Sequence, residues 1–119
     1  SHKLIDAGAD LILGHGPHVP RAVELYNNRL IVYSLGNFCT YAKFPLNGAQ
    51  GFAPIIKLKI NTKGEFLSGR IISAKQIKRG IPVIDEKNNA AILMRNLSIK
   101  DFPENEIEIS ETGDIIFKN

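Results

Sequence analysis

The chain has one cysteine in 119 residues, so no internal disulfide forms and cysteine usage does not report the redox compartment. Tryptophan is absent, and six phenylalanines and three tyrosines do not assemble into a base-stacking platform in any recognised nucleic-acid motif. An excess of one charge is lacking too. Fifteen Lys and Arg against twelve Asp and Glu leave a formal charge of +3, which argues against a nucleic-acid partner. No apolar run reaches the roughly 20 residues of a membrane span, and no signal-peptide pattern, internal repeat or low-complexity linker is visible. What remains, 44% hydrophobic and 23% charged, is the composition of one globular unit that can bury a core. The basic residues Lys57, Lys59, Lys63, Lys75, Lys78 and Arg79 are interleaved with aliphatics, as on a solvated strand face.

Two of the three histidines, His15 and His18, sit in the loop GHGPHVP, residues 14–20. It follows the apolar run Asp10-Leu11-Ile12-Leu13, itself preceded by LIDAGA, which reads as a helix end with Leu4 and Ile5 in the last turn and Gly8 at the cap. Helix, tight turn, short buried strand and polar loop follow in order, and loops at strand carboxyl ends are where α/β proteins bind ligands. Gly14, Gly16 and Pro17 constrain the backbone enough to turn both imidazoles inward. Two explanations stay open: a metal or phosphate site, or a hydrogen-bonded turn histidine at His15 beside a solvated His18. Downstream, RLIVYSLGNF ends a strongly apolar strand in a small polar turn carrying Asn37. Cys39 follows directly and reads as a small half-buried residue, since a nucleophile needs a neighbouring base.

The rest of the chain reads as mostly β. Arg21 to Tyr26 and Leu30 to Leu35 are predicted to pair across an Asn27-Asn28 turn. TYAKFPLNGAQ, residues 40–50, is a long loop whose Tyr41 and Phe44 either line the cleft mouth or pack over the sheet. Ile56 to Ile60 and Phe66 to Ile77 form a second hairpin around Asn61-Thr62-Lys63-Gly64, and the pattern changes after Gly80-Ile81-Pro82. Glu86 to Leu97 is an amphipathic helix with Ala91, Leu93, Met94 and Leu97 on one face, limited by Ser98 and Pro103, and Met94 belongs to the core. Ile107 and Ile109 alternate with glutamates before Thr112-Gly113-Asp114 turns into Ile115 to Phe117. Glu104, Glu106, Glu108 and Glu111 form a solvated face.

The elements GADLILGHGPHV and YSLGNF, in that order, resemble the C-terminal signature of the CapA/PgsA family of bacterial capsule and poly-γ-glutamate synthesis proteins, whose domain is related to calcineurin-like metallophosphoesterases. The resemblance is continuous over roughly the first third and looser through GFAPIIKLKI and Asp101 to Pro103. It implies an α/β chain, mainly antiparallel hairpins with one or two helices, forming the C-terminal half of a metallophosphoesterase-like β-sandwich domain. It also implies that His15 and His18 are ligands of a divalent-metal centre and that Asn37 lines its rim. The family's common form has a second histidine directly after the first, where this chain has Gly16.

Other ligands of such a centre lie upstream in the family, so the resemblance implies a C-terminal fragment, one domain over 1–119, carrying half a site and inactive alone. The intact protein would perform metal-assisted hydrolysis or transfer during capsular polymer synthesis, or would hold polymer as a non-catalytic scaffold. Implied partners are the N-terminal half of the domain and the polymer or its precursor, at the extracytoplasmic face of a bacterial membrane. Unpaired edges at Asp10 to Leu13 and Leu30 to Leu35 would make the fragment self-associate.

Overall fold

The computed structural model describes residues 1–40 and 45–119; Tyr41 and Phe44, the aromatic residues of the long loop, lie outside the described residues. Helix α1 (His2–Asp6) ends as its sequence predicts. The Ala9 amide donates to Leu4 O and the Gly8 amide to Ile5 O, with Gly8 at φ 115°, the paired bonds of a Schellman ending. Strands β1 (Leu11–Leu13), β2 (Val23–Tyr26) and β3 (Arg29–Val32) then form a sheet of order β1-β3-β2. β1 runs parallel to β3, while β2 and β3 make an antiparallel hairpin whose turn residues Asn27 and Asn28 both take positive φ.

A 3-10 turn (Gly48–Gly51) leads into β4 (Ile55–Ile60), β5 (Phe66–Ile72), β6 (Ala74–Lys78), β7 (Ile81–Ile84), helix α2 (Asn89–Asp101), β8 (Ile107–Ile109) and β9 (Asp114–Phe117). Four of these strands form an antiparallel sheet of order β4-β5-β9-β8, and β6 pairs with β7 in a separate two-stranded ribbon. The α/β class, mainly antiparallel with two α-helices, is as expected. One core joins the larger sheets: Val23, Leu30 and Val32 from the first, Phe66, Ile71, Ile107, Ile109 and Ile115 from the second, and Ala91 and Met94 from α2 between them. Met94 is fully buried, and Glu104, Glu106, Glu108 and Glu111 are exposed.

Four expectations are corrected. The strand predicted over Phe66 to Ile77 is two strands in different sheets, because the chain changes partners at the buried Ser73, whose carbonyl accepts the Asp85 amide and whose hydroxyl accepts the Ala91 amide. The change of pattern after Gly80 is β7, a strand that a proline inside it obscures; Pro82 lies on a ribbon edge, where no ladder donor is required of it.

The helix runs Asn89–Asp101, later at both ends than the predicted 86–97. Asp85 accepts the Lys87 and Asn89 amides, so residues 85–88 form a turn that caps the helix from outside. At the other end Ser98 does not stop the helix, because its hydroxyl donates to Met94 O and accepts the Val23 amide. Leu30 to Leu35, finally, is no open edge: β3 is central in its sheet, with Leu30, Ile31 and Val32 buried.

Edge protection explains why β2 is not open either. Its outward Val23 amide is bound by Ser98, its Leu25 amide by Asn105 Oδ1 and its Val23 carbonyl by Asn105 Nδ2, so two side chains stand in for a neighbouring strand. Among the described residues β1 has a neighbour on one side only, and Leu13 on it is exposed.

Candidate metal site at the ends of β1 and β3

Parallel pairing of β1 with β3 puts both carboxyl ends side by side, so the loops that carry His15, His18 and Asn37 leave the sheet together. The ladder continues past the strands, with the Gly14 amide donating to Val32 O at 2.8 Å and the Leu35 amide to Gly14 O at 2.8 Å. A Cβ at position 14 would collide with the Tyr33 carbonyl, which is why glycine opens the loop. The Gly36 that closes the second loop takes φ 67° and lies against Pro20 and the Phe52 carbonyl.

Within this frame the three predicted residues meet. His15 Nδ1 lies 3.2 Å from Gly36 O; as the ring donates there, the unshared pair is on Nε2. His18 Nδ1 lies 2.8 Å from Asn37 Oδ1, and Asn37 Nδ2 donates back to His18 O at 3.4 Å. His18 takes φ 62°, in a region histidine visits more readily than most residues, and its amide closes a turn onto His15 O. Both histidines are exposed and Asn37 is half-buried.

A ring nitrogen tied to a backbone carbonyl or amide oxygen is the arrangement that fixes an imidazole's tautomer for metal binding. The donor chemistry therefore fits a divalent metal as part of a ligand set. Among the described residues, no group of three or more His, Cys, Asp and Glu side chains is arranged to hold a metal ion. Cys39 is exposed rather than half-buried, and its thiol donates to Gly80 O at 3.2 Å. His2, the third histidine, is remote in role: it stacks on Tyr26 with centroids 3.8 Å apart and bonds Glu24 at 2.8 Å.

Glu24 also accepts the Tyr33 hydroxyl at 2.8 Å. Burial first, and that hydrogen bond second, push the Tyr33 phenol well above the ordinary tyrosine range. The backbone of Tyr33 thus crowds Gly14 while its side chain anchors the same stretch to β2.

One residue of the site is not legible in the sequence. Gln76 on β6 is buried, its Nε2 donates to Asn37 O at 2.8 Å, and its Oε1 accepts the Thr40 and Gly80 amides at 3.0 and 3.1 Å. The available signal was the alternation Ala74, Gln76 on the buried face of a strand, which puts an amide where an aliphatic is expected.

Residues 1–42 match the family model described as bacterial capsule synthesis protein PGA_cap. Over 38 residues the chain is 64% identical to the PGA biosynthesis protein CapA of Bacillus subtilis, an alignment covering 32% of this chain and 10% of the relative. It is 54% identical over 35 residues to the capsule biosynthesis protein CapA of Bacillus anthracis, covering 29% and 8%. A longer alignment, 77 residues at 32% identity, covers 65% of the chain and 20% of a "probable polyglutamine synthesis accessory protein" of Mycobacterium tuberculosis. The matched segment thus spans 8–20% of these relatives' length. Capsule synthesis associates the family with the cell envelope, and no helix among the described residues is long and apolar enough to cross a membrane. The segment that the family model matches, residues 1–42, holds both strand ends and all three residues His15, His18 and Asn37, and over it the chain is similar to the CapA/PgsA family of bacterial capsule synthesis proteins.

Proposed function

We propose that the loops after β1 and β3 form one wall of a metallophosphoesterase-like divalent-metal site, serving hydrolysis or transfer at a phosphoryl-type or related group during capsule or polyglutamate synthesis. The observation that carries this reading is the pair of anchored imidazoles, His15 on Gly36 O and His18 on Asn37 Oδ1, at adjacent carboxyl ends of parallel strands. His15 and His18 would hold the metal, with further ligands from elsewhere in the intact protein. A metal bound there would supply Lewis acidity toward a phosphoryl or carbonyl oxygen.

The chain's own residues do the rest. His15 presents Nε2, Asn37 orients the His18 ring and lines the rim, and Gly14 and Gly36 let the two loops approach. The polymer or its precursor is the substrate or product in this reading, and the site faces the outside of the bacterial membrane.

A second reading, a polymer-holding scaffold without turnover, is favoured by a different surface. Lys57 and Lys59 on β4 and Arg70 on β5, opposite Lys57, are exposed and form no ion pair among the described residues, a cationic face suited to an acidic polymer.

Metal binding decides between them. His15→Ala and His18→Ala should each weaken Zn2+ or Mn2+ binding by about 10-fold or more with the circular dichroism spectrum unchanged. Equal metal content in wild type and both variants would remove the metal reading.

A further inference from the structure

The site loop of residues 34–40 is held from behind by an element that belongs to neither large sheet. Gln76, on β6 of the β6–β7 ribbon, is 5% exposed and reaches the loop with both ends of its amide. Its donor end holds Asn37 O, and its acceptor end gathers the Thr40 amide and, across its own hairpin turn, the Gly80 amide. Cys39 adds a thiol bond to Gly80 O. Three contacts therefore stitch the segment Asn37 to Thr40 to one ribbon, two of them through a single side chain, which also closes its own hairpin at Gly80.

We propose that Gln76 is the positioning residue of the site: it fixes the backbone of Asn37 so that the Asn37 side chain meets the His18 ring, and it makes the β6–β7 ribbon part of the site's machinery. The chemistry of the amide is the reason. Only a side chain with a donor and an acceptor on one rigid plane satisfies a carbonyl and two N–H groups in the same buried spot, since leaving any of them unpaired costs free energy. Two consequences follow. Loss of the amide releases the loop at Asn37 and Thr40 together, and whatever binds at His18 and Asn37 is coupled to the β6–β7 ribbon through the Asn37 backbone. The metal part of this inference rests on the reading given under Proposed function; the positioning part does not.

Two variants separate the roles. Gln76→Met keeps the side-chain length without hydrogen bonding, and Gln76→Glu keeps the acceptors for Thr40 and Gly80 while removing the donor to Asn37. In NMR of the protein without metal, Gln76→Met is expected to lower amide-exchange protection at Thr40 and Gly80 by about 10-fold, roughly the loss of one net hydrogen bond. It is also expected to displace the Asn37 side-chain amide signals from their wild-type positions, and the His18 ring-nitrogen signals toward their positions in Asn37→Ala and Asn37→Asp controls. Gln76→Glu should retain protection at Thr40 and Gly80 yet still displace the Asn37 and His18 signals. A merely structural glutamine would lower the melting temperature and leave those side-chain signals where they are in the wild type, and that result overturns the proposal. Should Gln76→Met fail to fold, Gln76→Glu alone decides on the same signals. Zn2+ titration of the same proteins reads the coupling, with affinity about 10-fold weaker in Gln76→Glu expected. If the intact wild-type protein binds no Zn2+, the metal reading fails, and the metal-free spectra still decide the role of Gln76.

Discussion

The three-stranded sheet and the four-stranded sheet are built on different rules. In β3 the residues Leu30, Ile31 and Val32 are all buried, so the strand is a continuous apolar run, as expected of a strand with neighbours on both sides and parallel pairing on one. In β8 the pattern alternates, Ile107 and Ile109 buried around an exposed Glu108, as in a sheet with one wet face. The site lies at the end of the first kind of sheet. A fully buried central strand is hard to displace, and it gives the loops after β1 and β3 a fixed origin. The second sheet gives up one face to solvent, where Lys57, Lys59 and Arg70 stand, and contributes its other face to the common core.

That common core is the strongest point at which to break the comparison. Met94, fully buried between the two sheets, should on change to alanine cost about 2–5 kcal/mol. Urea unfolding should lower both sheets in one transition, followed by Tyr fluorescence for the first sheet and by amide exchange at Ile71 and Ile115 for the second. Two separated transitions would show that the sheets are independent units.

A smaller effect is expected where side chains stand in for a strand beside β2. Asn105→Ala leaves the Leu25 amide and the Val23 carbonyl without their side-chain partners and should destabilise by about 1–2 kcal/mol. It also uncovers the β2 edge, so sedimentation should detect more association than in the wild type; a variant that associates no more than its parent would mean that this edge needs no cover.

The smallest effect distinguishes the anchoring of the first sheet by pH. The folded protein raises the Tyr33 phenol above its ordinary value, so the fold favours the neutral form. The stabilisation is complete below the unfolded tyrosine value of about 10 and is lost as pH rises through the higher folded value. Relative to Tyr33→Phe, the wild type should therefore lose stability only in strong alkali, and the phenolate absorbance difference between the two should rise above about pH 10. A Tyr33 that ionises like an exposed tyrosine would show that the Glu24 bond does not persist in solution.

Much of the first forty residues was legible from sequence because their constraints are local. A Gly8 that must take positive φ, an Asn27-Asn28 pair that tolerates it, and a glycine at 14 each mark a turn irrespective of what packs around it. The family resemblance then implied that Asn37 lies on the rim of the cleft that holds His15 and His18. The region from Phe66 to Leu97 was misread where long-range partners override periodicity. Ser73 looks like any strand residue until its hydroxyl is seen to hold the Ala91 amide, and Ser98 looks like a helix stop until it bridges Met94 and Val23.

Local chemistry in the sequence by itself determined the turns, the alternation of β8 and β4 and the burial of Met94, while the motifs GADLILGHGPHV and YSLGNF carried the family resemblance. Tertiary structure alone decided that β1 lies parallel beside β3, so that two polar loops 19 residues apart, at His18 and Asn37, close on each other. It alone decided, too, that Gln76 stands behind them. The physical reason is that a turn is set by the φ its own residues accept, whereas a buried amide's partners are chosen by which distant backbone groups the packed core leaves unsatisfied.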